Sequence, residues 1–175
     1  MKASVFIGTS LDGFIARLNG ALDFLPEGGG EPHGYTEFLA TVDAIVIGRK
    51  TFETVLTMTP WPYADKRVIV LSSNPIDFSP VVGGRVEQMA GSPEEIVKKL
   101  AASGAQHLYI DGGITIQQFL RAGLIQHLTI TRVPVLIGKG IPLFGALPKD
   151  IHLRHLATRH YKSGLVSSDY EVIQK

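Results

Sequence analysis

The sequence of 175 residues contains no cysteine, which excludes a disulfide framework and any chemistry that needs a thiolate. It also has no apolar run near the roughly 20 residues that a membrane-spanning helix needs. Residues 1–4 lead directly into a strand-like run, without the apolar h-region and cleavage site of a signal peptide. We therefore expect a cytoplasmic protein with no membrane partner, and we predict no metal site.

Charge is scarce as well. Only 19% of the residues are charged and the formal net charge is +1, so the whole molecule has no attraction for nucleic acid or an anionic membrane surface. Any recognition of phosphate must therefore be local, and we expect no nucleic-acid partner. The length and the 45% hydrophobic content predict one domain over residues 1–175, which buries about two-thirds of its unfolded surface.

The most informative stretch that is present runs from residue 44 to residue 53. Ala44–Gly48 is a short apolar run rich in β-branched residues, typical of a buried strand, and a helix-compatible run follows it. Gly48 permits a tight turn, after which Arg49, Lys50 and Thr51 stand at the start of the predicted helix. Backbone N–H groups and two cations at a helix start suit a phosphate-bearing ligand. The alternative is a strand–turn–helix junction whose cations only face water.

Two further strand ends carry groups of the same kind. The predicted strand 67–71 ends at Ser72 and Ser73, which offer hydroxyl and backbone donors or form an ordinary polar turn. The predicted strand 107–110 is followed by Asp111, Gly112 and Gly113 and then by a helix. Paired glycines there allow phosphate oxygens close to the backbone, or else allow tight packing of the helix on the strand. The motif lacks the lysine of a P-loop.

The remaining pattern predicts the architecture. Apolar residues at helical spacing favour a helix over residues 33–42, and Asp43 is expected to end it. Ser92, Pro93 and Glu95 form the signature of a capped helix start. Residues 26–32 are rich in glycine and predict a loop or lid. Strands alternate with helices until a C-terminal hairpin of residues 151–161 and 165–173, which indicates an α/β sandwich with a mixed, mostly parallel central sheet.

With these elements placed, the chain resembles the dihydrofolate reductase-like superfamily. Within it, the resemblance is to stand-alone relatives of the C-terminal reductase domain of the bifunctional riboflavin-biosynthesis deaminase–reductase. Five segments in order carry the likeness: SLDGFIA at 10–16, DAIVIGRKTFE at 43–53, VLSS at 70–73, YIDGG at 109–113 and RVPVLIGKGIPLF at 132–144. The resemblance implies a three-layer sandwich of the dihydrofolate reductase type and an NADPH-dependent, homodimeric reductase.

Residues for the cofactor follow from the same resemblance, position by position. The 2′-phosphate and pyrophosphate segment corresponds to Gly48, Arg49, Lys50 and Thr51. The wall around the adenosine ribose phosphate corresponds to Leu71, Ser72 and Ser73, and the pyrophosphate turn to Gly112, Gly113, Ile114 and Thr115. Positions around the nicotinamide correspond to Gly8, Ile15, Asn19 and Gly20.

The predicted reaction is hydride transfer from NADPH to a C=N or C=O of a small, heterocyclic substrate, pyrimidine or pterin-like. Asp12 is our candidate for the polar group nearest the reacting end, and its alternative role is to cap the Asp12–Gly13 turn. Tyr35 and Phe38 are candidate substrate walls. The alternatives to a reductase are an NADP(H)-binding module without turnover and a P-loop-like phosphotransferase.

Overall fold

The computed structural model describes residues 1–26, 31–63, 65–81 and 83–173 and is built around an eight-stranded sheet with a separate two-stranded ribbon. The ten strands are β1 Lys2–Ser10, β2 Phe14–Ala16, β3 Ala44–Gly48, β4 Arg67–Leu71, β5 Arg85–Met89, β6 His107–Asp111, β7 His127–Val133, β8 Ile141–Pro142, β9 Leu153–His160 and β10 Val166–Val172. The helices are α1 Tyr35–Ala40, α2 Arg49–Val55, α3 Pro93–Ala102 and α4 Gly113–Arg121.

The strand order in the large sheet is β5-β4-β3-β6-β1-β7-β10-β9. All pairings from β5 to β7 are parallel, and β10 pairs antiparallel with both β7 and β9. This confirms the predicted mixed, mostly parallel sheet that ends in a C-terminal hairpin. The ribbon is the antiparallel pair of β2 and β8.

Strand β3 shows why the sheet is covered on both faces. Ala44 and Val46 belong to one hydrophobic core, which includes α3 and α4, whereas Ile45 and Ile47 belong to a second core on the opposite face, with α2. All four side chains are fully buried, and each large one contributes about 1.5–3 kcal/mol by its burial. A strand buried on both faces requires the continuous apolar run seen in the sequence. The result is three layers.

The start of α3 confirms the predicted cap. The Ser92 hydroxyl accepts a hydrogen bond from the amide of Glu95 at 3.3 Å, and the Glu95 carboxylate accepts one from the amide of Ser92 at 2.8 Å. Two amides that lack partners within the helix are thereby satisfied, which fixes where the helix begins.

The predicted helix over residues 33–42 was too long. Helix α1 has six residues, Tyr35–Ala40, and begins after Gly34, whose φ of +84° is left-handed. Asp43 does not end this helix but accepts hydrogen bonds from the amides of Gln106 and His107, both at 2.8 Å, beside the start of β6. Strand β5 was not predicted. Of the predicted glycine-rich loop, residues 27–30 lie outside the described part of the chain.

Among the described residues, no helix is long and apolar enough to pass through a bilayer.

Candidate functional site

The three phosphate-type corners predicted from the sequence lie side by side. Strands β4, β3 and β6 are consecutive neighbours and parallel, so their carboxyl ends, at Leu71, Gly48 and Asp111, meet at one edge of the sheet. The register pairs Gly48 with Leu71 and Ile47 with Asp111. Since neighbouring strands lie about 4.8 Å apart, the three corners fit within roughly 10 Å. We call this edge, from Leu71 to Asp111, the carboxyl edge.

The topology opens a crevice at this edge. The chain leaves β3 into α2, which packs on one face of the sheet, and leaves the adjacent β6 into α4, which packs on the other face. Neighbouring strands whose helices diverge to opposite faces create a topological switch point, where open α/β sheets bind their ligands. The first turns of α2 and α4 therefore both border the crevice between β3 and β6.

Two glycines let these helix starts approach each other. Gly112 has φ +91°, and a Cβ built on it would overlap the Oγ1 of Thr51 in the first turn of α2. A Cβ on Gly48 would lie 3.1 Å from the Oγ1 of Thr115 in the first turn of α4. Each glycine thus faces a threonine of the opposite helix. The Gly112–Gly113 turn is therefore closely packed, as the alternative interpretation of the paired glycines expected.

Exposed polar groups surround the crevice on the β4 side. The guanidinium of Arg49 lies 3.2 Å from Glu53 and donates to the carbonyl of Pro75 at 3.5 Å, and its side chain is 42% exposed. Lys50 and Ser73 are exposed. The hydroxyl of Ser72 is bonded within its own turn, since it accepts from the amide of Asn74 and donates to the carbonyl of the same residue.

The residues predicted around a nicotinamide are partly brought to the same crevice. The Cδ1 of Ile15 lies against Gly113, where an added Cβ would be 2.9 Å away, and Gly20 lies beside the Oγ1 of Thr54 on α2. Gly8 lies on the central strand β1, beneath the side chain of Leu25. The fourth, Asn19, is exposed, and its side chain accepts from the amide of Ala21.

The carboxylate of Asp12 contacts a distant loop, which neither of its two sequence-based roles included. Its two carboxylate oxygens accept hydrogen bonds from the amides of Ile137 at 3.3 Å and Gly138 at 2.8 Å. A hydrogen bond with the Ser10 hydroxyl, aided by these two amides, lowers the pKa of the exposed Asp12 carboxyl. The side chain therefore ties the turn after β1 to the loop before β8.

The two candidate substrate walls, Tyr35 and Phe38, pack on the same two rings in the second core. Phe38 packs in the second core, with its ring centroid 5.0 Å from that of Phe6 and 5.1 Å from that of Tyr109. It also contacts His107, the first residue of β6, so it lies towards the amino end of that strand, away from the carboxyl edge. The ring centroid of Tyr35 lies 5.6 Å from that of Phe6 and 6.3 Å from that of Tyr109, and burial together with the charge of Asp111 raises the pKa of Tyr35.

Sequence reasoning missed an acidic group at the crevice. The Asp111 carboxylate accepts a hydrogen bond from the Tyr63 hydroxyl at 3.0 Å and another from the amide of Gly112 at 2.8 Å. Burial raises the pKa of the Asp111 carboxyl, against the lowering effect of these hydrogen bonds. The sequence did hold one signal for Asp111, its position directly between a buried strand and a glycine turn. Nothing in the sequence pointed to Tyr63 as its partner.

Comparison with known proteins covers almost the whole chain. A family model described as the RibD C-terminal domain matches residues 2–167. The uncharacterized protein YwjB of Bacillus subtilis is 33% identical over 163 residues, which cover 91% of this chain and 92% of that protein.

Solved structures agree in fold. A candidate riboflavin biosynthesis protein from Shewanella sp. PV-4 is 36% identical with a TM-score of 0.91, covering 99% of this chain and 100% of that one. Dihydrofolate reductase from Enterococcus faecalis, complexed with NADP(H), is 22% identical with a TM-score of 0.63 over 98% of this chain and 94% of that one. At that identity the likeness shows a common fold.

Proposed function

The chain belongs to the RibD C-terminal domain family, and from this premise we propose that it is an NADPH-dependent reductase. Its substrate is a small heterocycle, pyrimidine or pterin-like, which accepts a hydride at a C=N or C=O. One observation carries the proposal: three corners with phosphate-type donors occupy adjacent parallel strands at a topological switch point. A dinucleotide needs such a continuous set of donors along one groove.

The residues present fit the cofactor's phosphates. Among the described residues, no side chain caps the first amides of α4, because the N-cap position is Gly112. These amides carry the positive end of the helix dipole and suit the pyrophosphate. Arg49, Lys50 and Ser73 are exposed on the β3–β4 side of the crevice, where a 2′-phosphate dianion meets two cations.

The protein's part in the reaction is to bind and orient. Bound NADPH would supply the hydride. Ile15, on the β2–β8 ribbon, packs on Gly113 beside the first turn of α4 and forms an apolar wall between the phosphate end and the reacting end of the crevice. Tyr35 and the Tyr63–Asp111 pair border the side of the second core, where the ring of a substrate would be held against the nicotinamide.

The deciding experiment measures both binding and turnover. We expect the purified protein to bind NADPH more tightly than NADH and to oxidise NADPH in the presence of at least one member of a panel of pterins, flavin precursors and small carbonyl compounds. Selective NADPH binding with no oxidation across the panel would favour the binding module without turnover. Preference for ATP with Mg²⁺ over NADPH would favour a phosphotransferase and contradict the proposal.

We also propose that the protein forms a homodimer through the apolar segment 133–137. Leu136 in this segment is 69% exposed, and burying such an apolar side chain between two copies of the chain would stabilise a dimer. Sedimentation at micromolar concentration is expected to give the mass of a dimer, and Leu136→Ser is expected to shift it towards the monomer. A monomeric wild-type protein would contradict this proposal.

A further inference from the structure

Gln88 on the edge strand β5 makes an unusual set of contacts with the loop that follows β4. Its side-chain amide nitrogen donates to the carbonyl of Ser72 at 2.8 Å and to the carbonyl of Asn74 at 2.9 Å. Its side-chain oxygen accepts from the amide of Ile76 at 3.1 Å. One side chain thus holds three backbone groups spread over five consecutive residues, 72–76, which we call the serine loop.

The position of Gln88 makes this possible. It pairs in register with Val70, two positions before Ser72, and the alternation of β5 places it on the same face as Val86, which packs with α2 in the second core. The side chain is partly buried and reaches along the strand ends to the serine loop. Arg49, at the start of α2, contacts the same loop through the carbonyl of Pro75.

The backbone of the serine loop needs such support. The Ser72 hydroxyl bonds both the amide and the carbonyl of Asn74. The amide of Ser72 donates to the carbonyl of Met89, the last residue of β5. The carbonyls of Ser72 and Asn74 and the amide of Ile76 take Gln88 as their partner. Without Gln88, the partly buried carbonyl of Ser72 and amide of Ile76 lose this partner, whereas the carbonyl of Asn74 keeps its hydrogen bond from the Ser72 hydroxyl. The loop then rearranges to recover hydrogen bonds with water.

We propose that Gln88 is the positioning residue that sets the preference for NADP(H) over NAD(H). It holds the serine loop so that Ser73 and Arg49 converge on the 2′-phosphate. This inference rests on the proposed function, because it needs the cofactor at the carboxyl edge. Gln88 would thus act on cofactor selectivity from β5, through the serine loop rather than by contact with the phosphate. Loss of its hydrogen bonds should abolish the preference for NADP(H) while the rest of the crevice stays intact.

The test uses Gln88→Met, which keeps the length of the side chain, adds no charge and removes all three hydrogen bonds. The probes are adenosine 2′,5′-bisphosphate and 5′-AMP, which differ in the 2′-phosphate and need no turnover. We expect the dissociation constant of the bisphosphate to rise about tenfold and that of 5′-AMP to stay within about twofold, as for the loss of one or two hydrogen bonds between the displaced residues and the 2′-phosphate. Equal losses for both probes, or no loss for either, would overturn the inference.

Gln117 on α4 provides the matched control. Its amide also donates to two backbone carbonyls, those of Pro142 and Leu143, both at 3.3 Å, but it holds the β8 segment rather than the serine loop. Gln117→Met is expected to leave the ratio of the two dissociation constants unchanged. If the ratio of the bisphosphate constant to the 5′-AMP constant rises to a similar extent in both variants, the fold has loosened generally and the role of Gln88 is overturned.

A double-mutant cycle separates positioning from loss of stability. If Gln88 acts through the serine loop, Ser73→Ala weakens bisphosphate binding in the wild-type background and adds little in the Gln88→Met background. Fully additive losses would overturn the inference. Should Gln88→Met fail to fold, Gln88→Asn, whose amide is one methylene too short, gives the same comparison. A wild-type protein that binds neither probe would instead contradict the proposed function.

Discussion

The hydroxyl of Tyr63 donates a hydrogen bond to the Oδ2 of Asp111 at 3.0 Å, joining the loop after α2 to the last residue of β6. Tyr63 is 2% exposed, so the bond forms away from water, where burial raises the pKa of the phenol well above its ordinary value. The buried acid, its tyrosine and the amide of Gly112 form one connected set at the carboxyl edge. An ionisable group held in this way makes stability depend on pH.

Asp111→Asn is expected to change that pH dependence. Burial raises the pKa of Asp111 in the folded state above the unfolded value of 3.8, so the folded protein binds the proton more tightly. The penalty for ionising the buried acid is absent below the unfolded pKa and develops as the pH rises through the folded pKa. The free energy of unfolding of the wild type should therefore fall, relative to that of Asp111→Asn, as the pH rises from about 4. Urea unfolding at a series of pH values measures the difference.

The control for this experiment is Asp150→Asn, because Asp150 is exposed and lies in the segment between β8 and β9, outside the strands and helices that form the carboxyl edge. Its unfolding free energy should follow that of the wild type at every pH. A constant difference between Asp111→Asn and the wild type across the pH range would mean that Asp111 titrates alike in the folded and unfolded chains.

Removing the two cations of α2 tests the cofactor assignment. The double variant Arg49→Gln, Lys50→Gln should weaken NADPH binding by about 1–3 kcal/mol and hardly change NADH binding, since only NADPH carries the 2′-phosphate that these cations meet. Titration of both cofactors by fluorescence or calorimetry measures the two affinities. Lys98→Gln, on the exposed side of α3, is the matched charge control. Equal losses for NADPH and NADH would contradict the assignment of Arg49 and Lys50.

The sequence predicted the middle of the sheet better than its β5 edge. The run Ala44–Gly48 is apolar throughout because β3 is buried on both faces, and that pattern identifies it without any knowledge of neighbours. Strand β5 was missed because it has no continuous apolar run. Val86 and Met89 pack on opposite faces of the sheet, while Arg85 is exposed and Glu87 forms an ion pair with Arg67. The position of β5 follows from pairing with β4, which local propensity does not encode.

The same distinction between local patterns and long-range pairing applies to the candidate site. Its three corners could be predicted because each is a local strand–turn signal, and parallel strands bring their carboxyl ends to one edge by topology. The pairing of Asp111 with Tyr63 could not be predicted, because it joins residues 48 positions apart through the packing of the second core. Phe38 was assigned to the crevice from the periodicity of its helix, which shows that a face is buried but not against what.

Gly112→Ala should destabilise the protein by about 2–4 kcal/mol, through strain at a positive φ and overlap of the new methyl with Thr51. Thr51→Ala in the same chain should recover part of the loss, because the Oγ1 that the methyl meets is then absent. Gly104→Ala is the control: Gly104 has φ +92°, but an added Cβ meets nothing within 4 Å, so only the backbone strain remains. Denaturant unfolding of Gly112→Ala, Thr51→Ala, the double variant and Gly104→Ala measures each difference. If the double variant loses as much unfolding free energy as the two single variants together, the starts of α2 and α4 are not interlocked.

Asp12 was a candidate for the reacting end, and the structure adds a second role, as a tie between two loops; the two roles predict different outcomes for the same substitution. As a tie between the turn after β1 and the loop before β8, its carboxylate protects the amides of Ile137 and Gly138 from hydrogen exchange. Asp12→Ala should then accelerate exchange at these two amides specifically.

The pKa of Asp12 is lowered, so its carboxylate stays ionised and accepts both hydrogen bonds at neutral and mildly acidic pH. The protection of the two amides from exchange should therefore decline only as the pH falls below about 3.8. As a group at the reacting end, Asp12 would instead affect turnover: Asp12→Ala would abolish NADPH oxidation while NADPH binding and exchange at both amides stayed unchanged. Because the structure shows both carboxylate oxygens engaged by backbone amides, we expect the first outcome, with any loss of turnover following from movement of the loop.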